Sequence, residues 1–141
     1  MFRLDHRLQH DCIFLGESAD SCLLLMNNSL FTWFILVPKT DVIEFHQLDR
    51  SLQIRLLDEI NAVSNFIEES FSIDKLNTAM IGNIVSQLHI HVIGRQQNDP
   101  CWPGVVWGTQ QKQAYDNDTV IAYQSMIREQ LGHIYTGTQL V

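Results

Sequence analysis

The chain has 141 residues, of which 45% are hydrophobic and 18% charged, and it carries a formal net charge of -7 at pH 7. That length suits one domain with a proper core, and an acidic balance without a basic cluster argues against nucleic-acid binding while leaving a small nucleotide open. The start, Met1 to His6, has no apolar leader and no apolar run is long enough to cross a bilayer, so we expect one cytoplasmic domain, residues 1–141, with no membrane partner.

In chain order, Asp5 to His10 reads as a short surface helix or turn, and Cys12-Ile13-Phe14-Leu15 as a first strand. Gly16 to Asp20 is a turn. Ser21 to Met26 and Phe31 to Val37 read as two strands joined around the turn formers Asn27-Asn28-Ser29. The second is apolar almost throughout, as a central strand is, and Pro38 ends it. Asp49 can cap a helix running to about Ser70, in which Leu52, Leu56, Ile60, Val63 and Ile67 recur at helical spacing and Leu57 and Phe66 broaden the stripe. Lys75 to Gly82 and Gln87 to Gly94 then read as two strands with a tight connection. Val120, Tyr123, Ile127 and Leu131 form a second helical stripe, capped by Asp118 and stopped by Gly132. The order predicts an antiparallel α+β domain. Cys12, Cys22 and Cys101 form no Cys-x-x-Cys pair and read as small, mostly buried thiols of a reduced compartment.

The richest segment runs Gly82-Asn83-Ile84-Val85-Ser86-Gln87-Leu88-His89-Ile90-His91-Val92-Ile93-Gly94-Arg95. From Gln87 to Val92 polar and apolar residues alternate strictly, so Leu88, Ile90 and Val92 point to one side and Gln87, His89 and His91 to the other. Two residues along a strand cover roughly 6.6 Å, which lets one phosphate touch both imidazoles. The same pattern also fits the wet face of an antiparallel sheet. It fits half of a metal site as well, although a catalytic zinc needs a third ligand and no carboxylate or Cys lies at a revealing spacing, which leaves a distant one such as Asp99.

Gly-Asn-x-Val-x-Gln-Leu-His-x-His-Val-x-x-Arg, followed by Trp102-Pro103-Gly104-Val105-Val106-Trp107-Gly108, resembles the histidine triad (HIT) superfamily, and within it the bacterial branch called diadenosine polyphosphate hydrolase-like. The family motif is His-φ-His-φ-His-φ-φ, φ being apolar. Here it reads Gln87-φ-His89-φ-His91-φ-φ, with glutamine in place of the first histidine. The similarity also takes in Leu36-Val37-Pro38-Lys39 and Leu76-Asn77, and runs roughly from Cys22 to Gly108.

The resemblance implies a five-stranded antiparallel sheet packed with one long and one C-terminal helix, and a homodimer paired through sheet and helix. It implies a nucleotide hydrolase or transferase that cleaves at the α-phosphate of an ester, anhydride or phosphoramidate, with no cofactor and no metal in the chemical step. His89 falls at the nucleophile's position; a neutral imidazole is competent near pH 7, and its second nitrogen needs only a backbone carbonyl behind it. His91 would donate to a non-bridging phosphate oxygen. Gln87 can donate a hydrogen bond but cannot shuttle a proton, which leaves a nucleotide-binding module with little or no catalysis as the alternative.

Asn83 and Asn77 match polar positions near phosphate and ribose, and Asn27 stands near an acidic ribose-binding position, while Ile84 replaces a common serine. For these three asparagines, turn and strand-end roles weigh equally with ligand binding. Arg95 reads as a surface arginine with a lesser claim on phosphate charge, and Trp33 as core. Trp102 and Trp107 bracket a Pro-Gly turn and either pack on the core or cover a base or a dimer seam. His6, His10, His46 and His133 follow no motif and read as surface residues.

Overall fold

The third strand organises the molecule, because Trp33-Phe34-Ile35-Leu36-Val37 is apolar on both of its faces and so needs cover on both. In the computed structural model, which describes residues 1–137, the elements are α1 (His6–Asp11), β1 (Cys12–Glu17), β2 (Ser21–Met26), β3 (Thr32–Pro38), a one-turn 3-10 helix at Phe45–Gln47, α2 (Arg50–Ser70), β4 (Lys75–Ala79), β5 (Ile90–Arg95) and α3 (Asn117–Leu131). The five strands form one antiparallel sheet in the order β1-β2-β3-β5-β4, as expected of an α+β domain. Among the described residues no helix is long and apolar enough to cross a membrane.

One face carries Phe34 and Leu36 with Leu23, Leu25, Ile90 and Val92, and is covered by Val63, Phe66 and Ile67 of α2 and by Ile127 and Leu131 of α3. Most of the helical stripes read from sequence supply that cover, but Leu57 is 52% exposed and Leu56 packs with Leu48 and Leu88. Contact is tight at Gly94, where an added Cβ would meet the Cγ2 atoms of Ile73 and Ile67 at 2.7 and 2.8 Å. The other face carries Trp33, Ile35 and Val37 with Cys22, Leu24 and Ile93, and is covered by Leu4 and Leu8 from the N-terminal segment and by Phe31 and Val106. Register puts His91 on this second face, paired with Ile35.

Several boundaries differ from expectation. β4 stops at Ala79 and β5 starts at Ile90, so the connection runs over residues 80–89 and is not tight. Gln87, Leu88 and His89 belong to it, and Leu88 packs in a small separate cluster with Leu48 and Leu56. Asp49 stands at the N-cap of α2 without a side-chain bond to it. The cap of α3 is Asp116, which accepts from the Thr119 amide at 2.7 Å; Asp118 sits inside the first turn. The buried Glu59 carboxylate of α2 accepts hydroxyls from Ser18, Ser21 and Tyr135, and a backbone bridge between Glu17 and Thr136 ties the segment after α3 to β1.

Candidate active site

The residue before β5 and the second residue within it carry the two histidines. His89 and His91 are only 7% and 4% exposed, so they do not lie on the wet face that alternation alone allowed. Their ring centroids are 4.8 Å apart with an interplanar angle of 65°. His89 Nδ1 lies 2.7 Å from the backbone carbonyl of Gln87, which can only accept; in the neutral ring Nδ1 therefore carries the proton and Nε2 the lone pair. His91 Nδ1 lies 2.9 Å from the indole Nε1 of Trp33. Burial, and secondarily the neighbouring His89, pushes the His91 pKa down to about 3, so this ring stays neutral at physiological pH. Trp107 meets the His91 ring edge-on at 5.3 Å.

A cleft of about 350 Å³ opens beside His89, with Ile43, Phe45, Met80, Ile81 and Gln87 among its walls. A second, of about 470 Å³, shares Ile43, Ser86 and Gln87 with the first and is walled on its far side by Arg3, Asp5, His6 and Asp41. The N-terminal segment thus contributes to the site. Nothing in its sequence signals this, because the residues that meet are more than 80 positions apart in the chain.

Gln87 stands between the two clefts, but its amide is engaged. Oε1 accepts from the Asp5 backbone N–H at 2.8 Å, and Nε2 donates to the Arg3 carbonyl at 2.9 Å. Arg7 Nη1 adds a bond to the Ile84 carbonyl at 3.1 Å. At the position of the missing histidine, the glutamine latches the N-terminal segment onto the 80–89 connection.

The asparagines divide. Asn83 is exposed within the 80–89 connection, beside Gly82, whose φ of 70° lies in the left-handed region that favours glycine. Ile84, next along, is 81% exposed. Asn77 pairs in register with Ile93 on the His91 face, but its Oδ1 accepts from Arg95 Nη1 at 3.0 Å. Asn27 does not join the histidines. Leu24 lies level with His91 across β3, and Asn27 is three residues further on and two strands away, roughly 14 Å by strand rise and spacing. Its Oδ1 accepts from the Tyr115 amide at 2.9 Å, holding the segment that leads to α3.

Arg95 is not a surface residue. It is 1% exposed and pairs bidentately with Asp99, Nε to Oδ2 at 2.7 Å and Nη2 to Oδ1 at 3.0 Å, while Trp102 lies 5.7 Å from its guanidinium carbon. Its charge is balanced within the loop and is not offered to a phosphate. Asp99, once a distant metal-ligand candidate, is committed to this pair, and the described residues gather no group of three or more His, Cys, Asp or Glu able to hold a metal.

A family description, the HIT domain, matches residues 7–98 of the chain. A histidine triad protein from Marinobacter aquaeolei has a similar solved structure, 41% identical, with 95% of this chain and 98% of that one covered and a TM-score of 0.90. Another from Bradyrhizobium japonicum is 38% identical, with 92% and 97% covered and a TM-score of 0.88. Among curated proteins the chain is 26% identical over 113 residues to Adenylylsulfatase HINT3 of Arabidopsis thaliana, which covers 67% of this chain and 57% of that protein. Sequence, sheet order and the paired histidines agree, and the chain belongs to the HIT family.

Proposed function

We propose that this chain is a nucleotide hydrolase or transferase that cleaves at the α-phosphate of a nucleoside phosphate through a covalent nucleotidyl–His89 intermediate. One observation carries the reading: the Gln87 carbonyl holds the proton of His89 on Nδ1 and leaves the Nε2 lone pair beside an open cleft. Nε2 bonds to phosphorus as the bond to the leaving group breaks, and the leaving group departs with the electron pair. His91 steadies the charge on a non-bridging oxygen. Water then attacks phosphorus, the P–N bond breaks, His89 recovers its lone pair, and the nucleoside monophosphate leaves while water's proton passes to solvent.

Gln87 narrows the substrate class. A glutamine cannot deliver a proton, and this amide is bonded on both sides to the N-terminal segment. Anhydrides, whose oxyanion leaves unprotonated, are therefore favoured over phosphoramidates, whose amine needs a proton. The adenylylsulfatase among the relatives is named for such an anhydride, which supports the choice, and diadenosine polyphosphates are anhydrides of the same class. A homodimer is part of the proposal. It is supported by β4 at the edge of the sheet and by exposed Met80, Ile81 and Ile84 following it.

The test is nucleoside monophosphate release from adenylyl sulfate, diadenosine tetraphosphate and adenosine phosphoramidate in chelator-containing buffer, for the wild type and His89→Ala. We expect release by the wild type, fastest from the anhydrides, and a loss of several orders of magnitude in a folded His89→Ala protein. Retained release in that variant overturns the covalent reading. Nucleotide binding without release by the wild type replaces it with a binding module, which the occupied Gln87 amide favours over a differently built enzyme.

A further inference from the structure

Trp33 reads as core from sequence, and it is 6% exposed, held edge-to-face by Phe31 and by Trp107 at centroid distances of 6.3 Å each. Its polar atom is not idle. A buried indole N–H needs an acceptor, and here it meets His91 Nδ1 at 2.9 Å across the β3–β5 pair. Indole can donate and cannot accept, so Nδ1 must be unprotonated, and a neutral imidazole then has its single proton on Nε2. We propose that Trp33 is a positioning residue that holds His91 in the Nε2–H tautomer, so that the ring can only donate toward a phosphate bound at His89. The inference rests on the proposed reaction for its purpose, but not for its chemistry.

Its logic is complementary to that of His89. The Gln87 carbonyl makes His89 an acceptor at Nε2, and the Trp33 indole makes His91 a donor at Nε2. Without the indole N–H, His91 is free to take the other tautomer, which presents a lone pair to an anionic oxygen and opposes the charge that grows there in the transition state. The depressed pKa of His91 fits this arrangement, since an imidazolium would set its Nδ1–H against the indole N–H. Neighbouring Trp107 does not share the role, because its buried Nε1 has no hydrogen-bond partner among the described residues.

The experiment reads the tautomer directly, by long-range proton–nitrogen correlation on protein labelled with 15N-histidine. Wild type should show His91 with an unprotonated Nδ1 and a protonated Nε2. Trp33→Phe, which keeps an aromatic ring and removes the donor, should give a mixture of tautomers and a kcat reduced about 2- to 5-fold, in proportion to the Nε2–H fraction lost, with KM little changed. That loss is smaller than outright removal of an oxyanion donor because the useful tautomer stays partly populated. Should Trp33→Phe unfold, benzothienylalanine at position 33 replaces N–H by sulfur in nearly the same shape. An Nδ1-protonated His91 in the wild type, or an unchanged tautomer after either replacement, overturns the proposal. A wild type that shows the assigned tautomer but turns over no nucleotide overturns the functional reading and leaves the tautomer control standing.

Discussion

Replacing Gln87 by alanine separates a latch from a catalytic group. The side chain makes two bonds, to the Asp5 amide at 2.8 Å and to the Arg3 carbonyl at 2.9 Å, and each is worth about 0.5–1.5 kcal/mol net. Gln87→Ala should therefore cost about 1–3 kcal/mol, or roughly 3–10 °C in Tm for a domain of this size. The loss should be local as well. Amide exchange at Asp5 should rise, because that N–H loses its acceptor, while amides in β2 and β3 keep their protection. Turnover should fall less than about tenfold, since the amide faces the N-terminal segment and not the phosphate. Gln87→His, which restores the family's first histidine, should lose stability similarly. A neutral imidazole has its donor and acceptor on different ring edges and cannot receive from Asp5 while giving to Arg3. Thermal unfolding, hydrogen exchange and kcat measured on the same three proteins decide the matter. A loss of 100-fold or more in kcat with Tm unchanged would refute the latch and return Gln87 to the chemistry.

Two further outcomes follow from buried charge. Arg95→Leu should cost about 3–5 kcal/mol in urea unfolding, because it strands the 5%-exposed Asp99 side chain, and the double variant with Asp99→Leu should recover part of that loss. Stability should also depend on pH through His91. Its pKa is near 6.5 in the unfolded chain and about 3 in the fold, so between those values the unfolded chain binds more protons. Its contribution is full above about pH 6.5 and is lost as pH falls toward 3, with a limiting slope of about 1.4 kcal/mol per pH unit. Urea midpoints at pH 7, 6 and 5 should fall more steeply for the wild type than for His91→Phe; equal slopes would remove His91 as the cause.

What the sequence made legible was whatever depends on neighbours along the chain. The apolar run of β3 and the stripe Leu56, Ile60, Val63, Ile67 of α2 declare themselves by period, and both form as read. The alternation from Gln87 to Val92 misled by its own regularity. Leu88 does point inward, but into the cluster with Leu48 and Leu56, which draws Gln87 to His89 out of the sheet. What escaped were polar pairs made across the fold. Gln87 meets Asp5 at a separation of 82 residues and Trp33 meets His91 at 58, and no local pattern can announce either. Arg95 and Asp99 are only four apart, yet arginine at a strand end reads as solvent-facing until the loop folds back and buries both.

These hidden pairs bear on why a histidine can be absent from the first triad position. In this chain three groups set the protonation pattern of the site: the Gln87 carbonyl, the Trp33 indole and the low-polarity cover over His91. None of them is a side chain at the first position. That position's own backbone carbonyl orients the His89 ring, and any residue supplies a carbonyl. Its side chain is then free to serve another purpose, and here it closes the N-terminal segment over the second cleft. A reaction whose leaving group departs without a proton loses least by that exchange, and for this reason the substitution at Gln87 and the proposed preference for anhydrides stand or fall together.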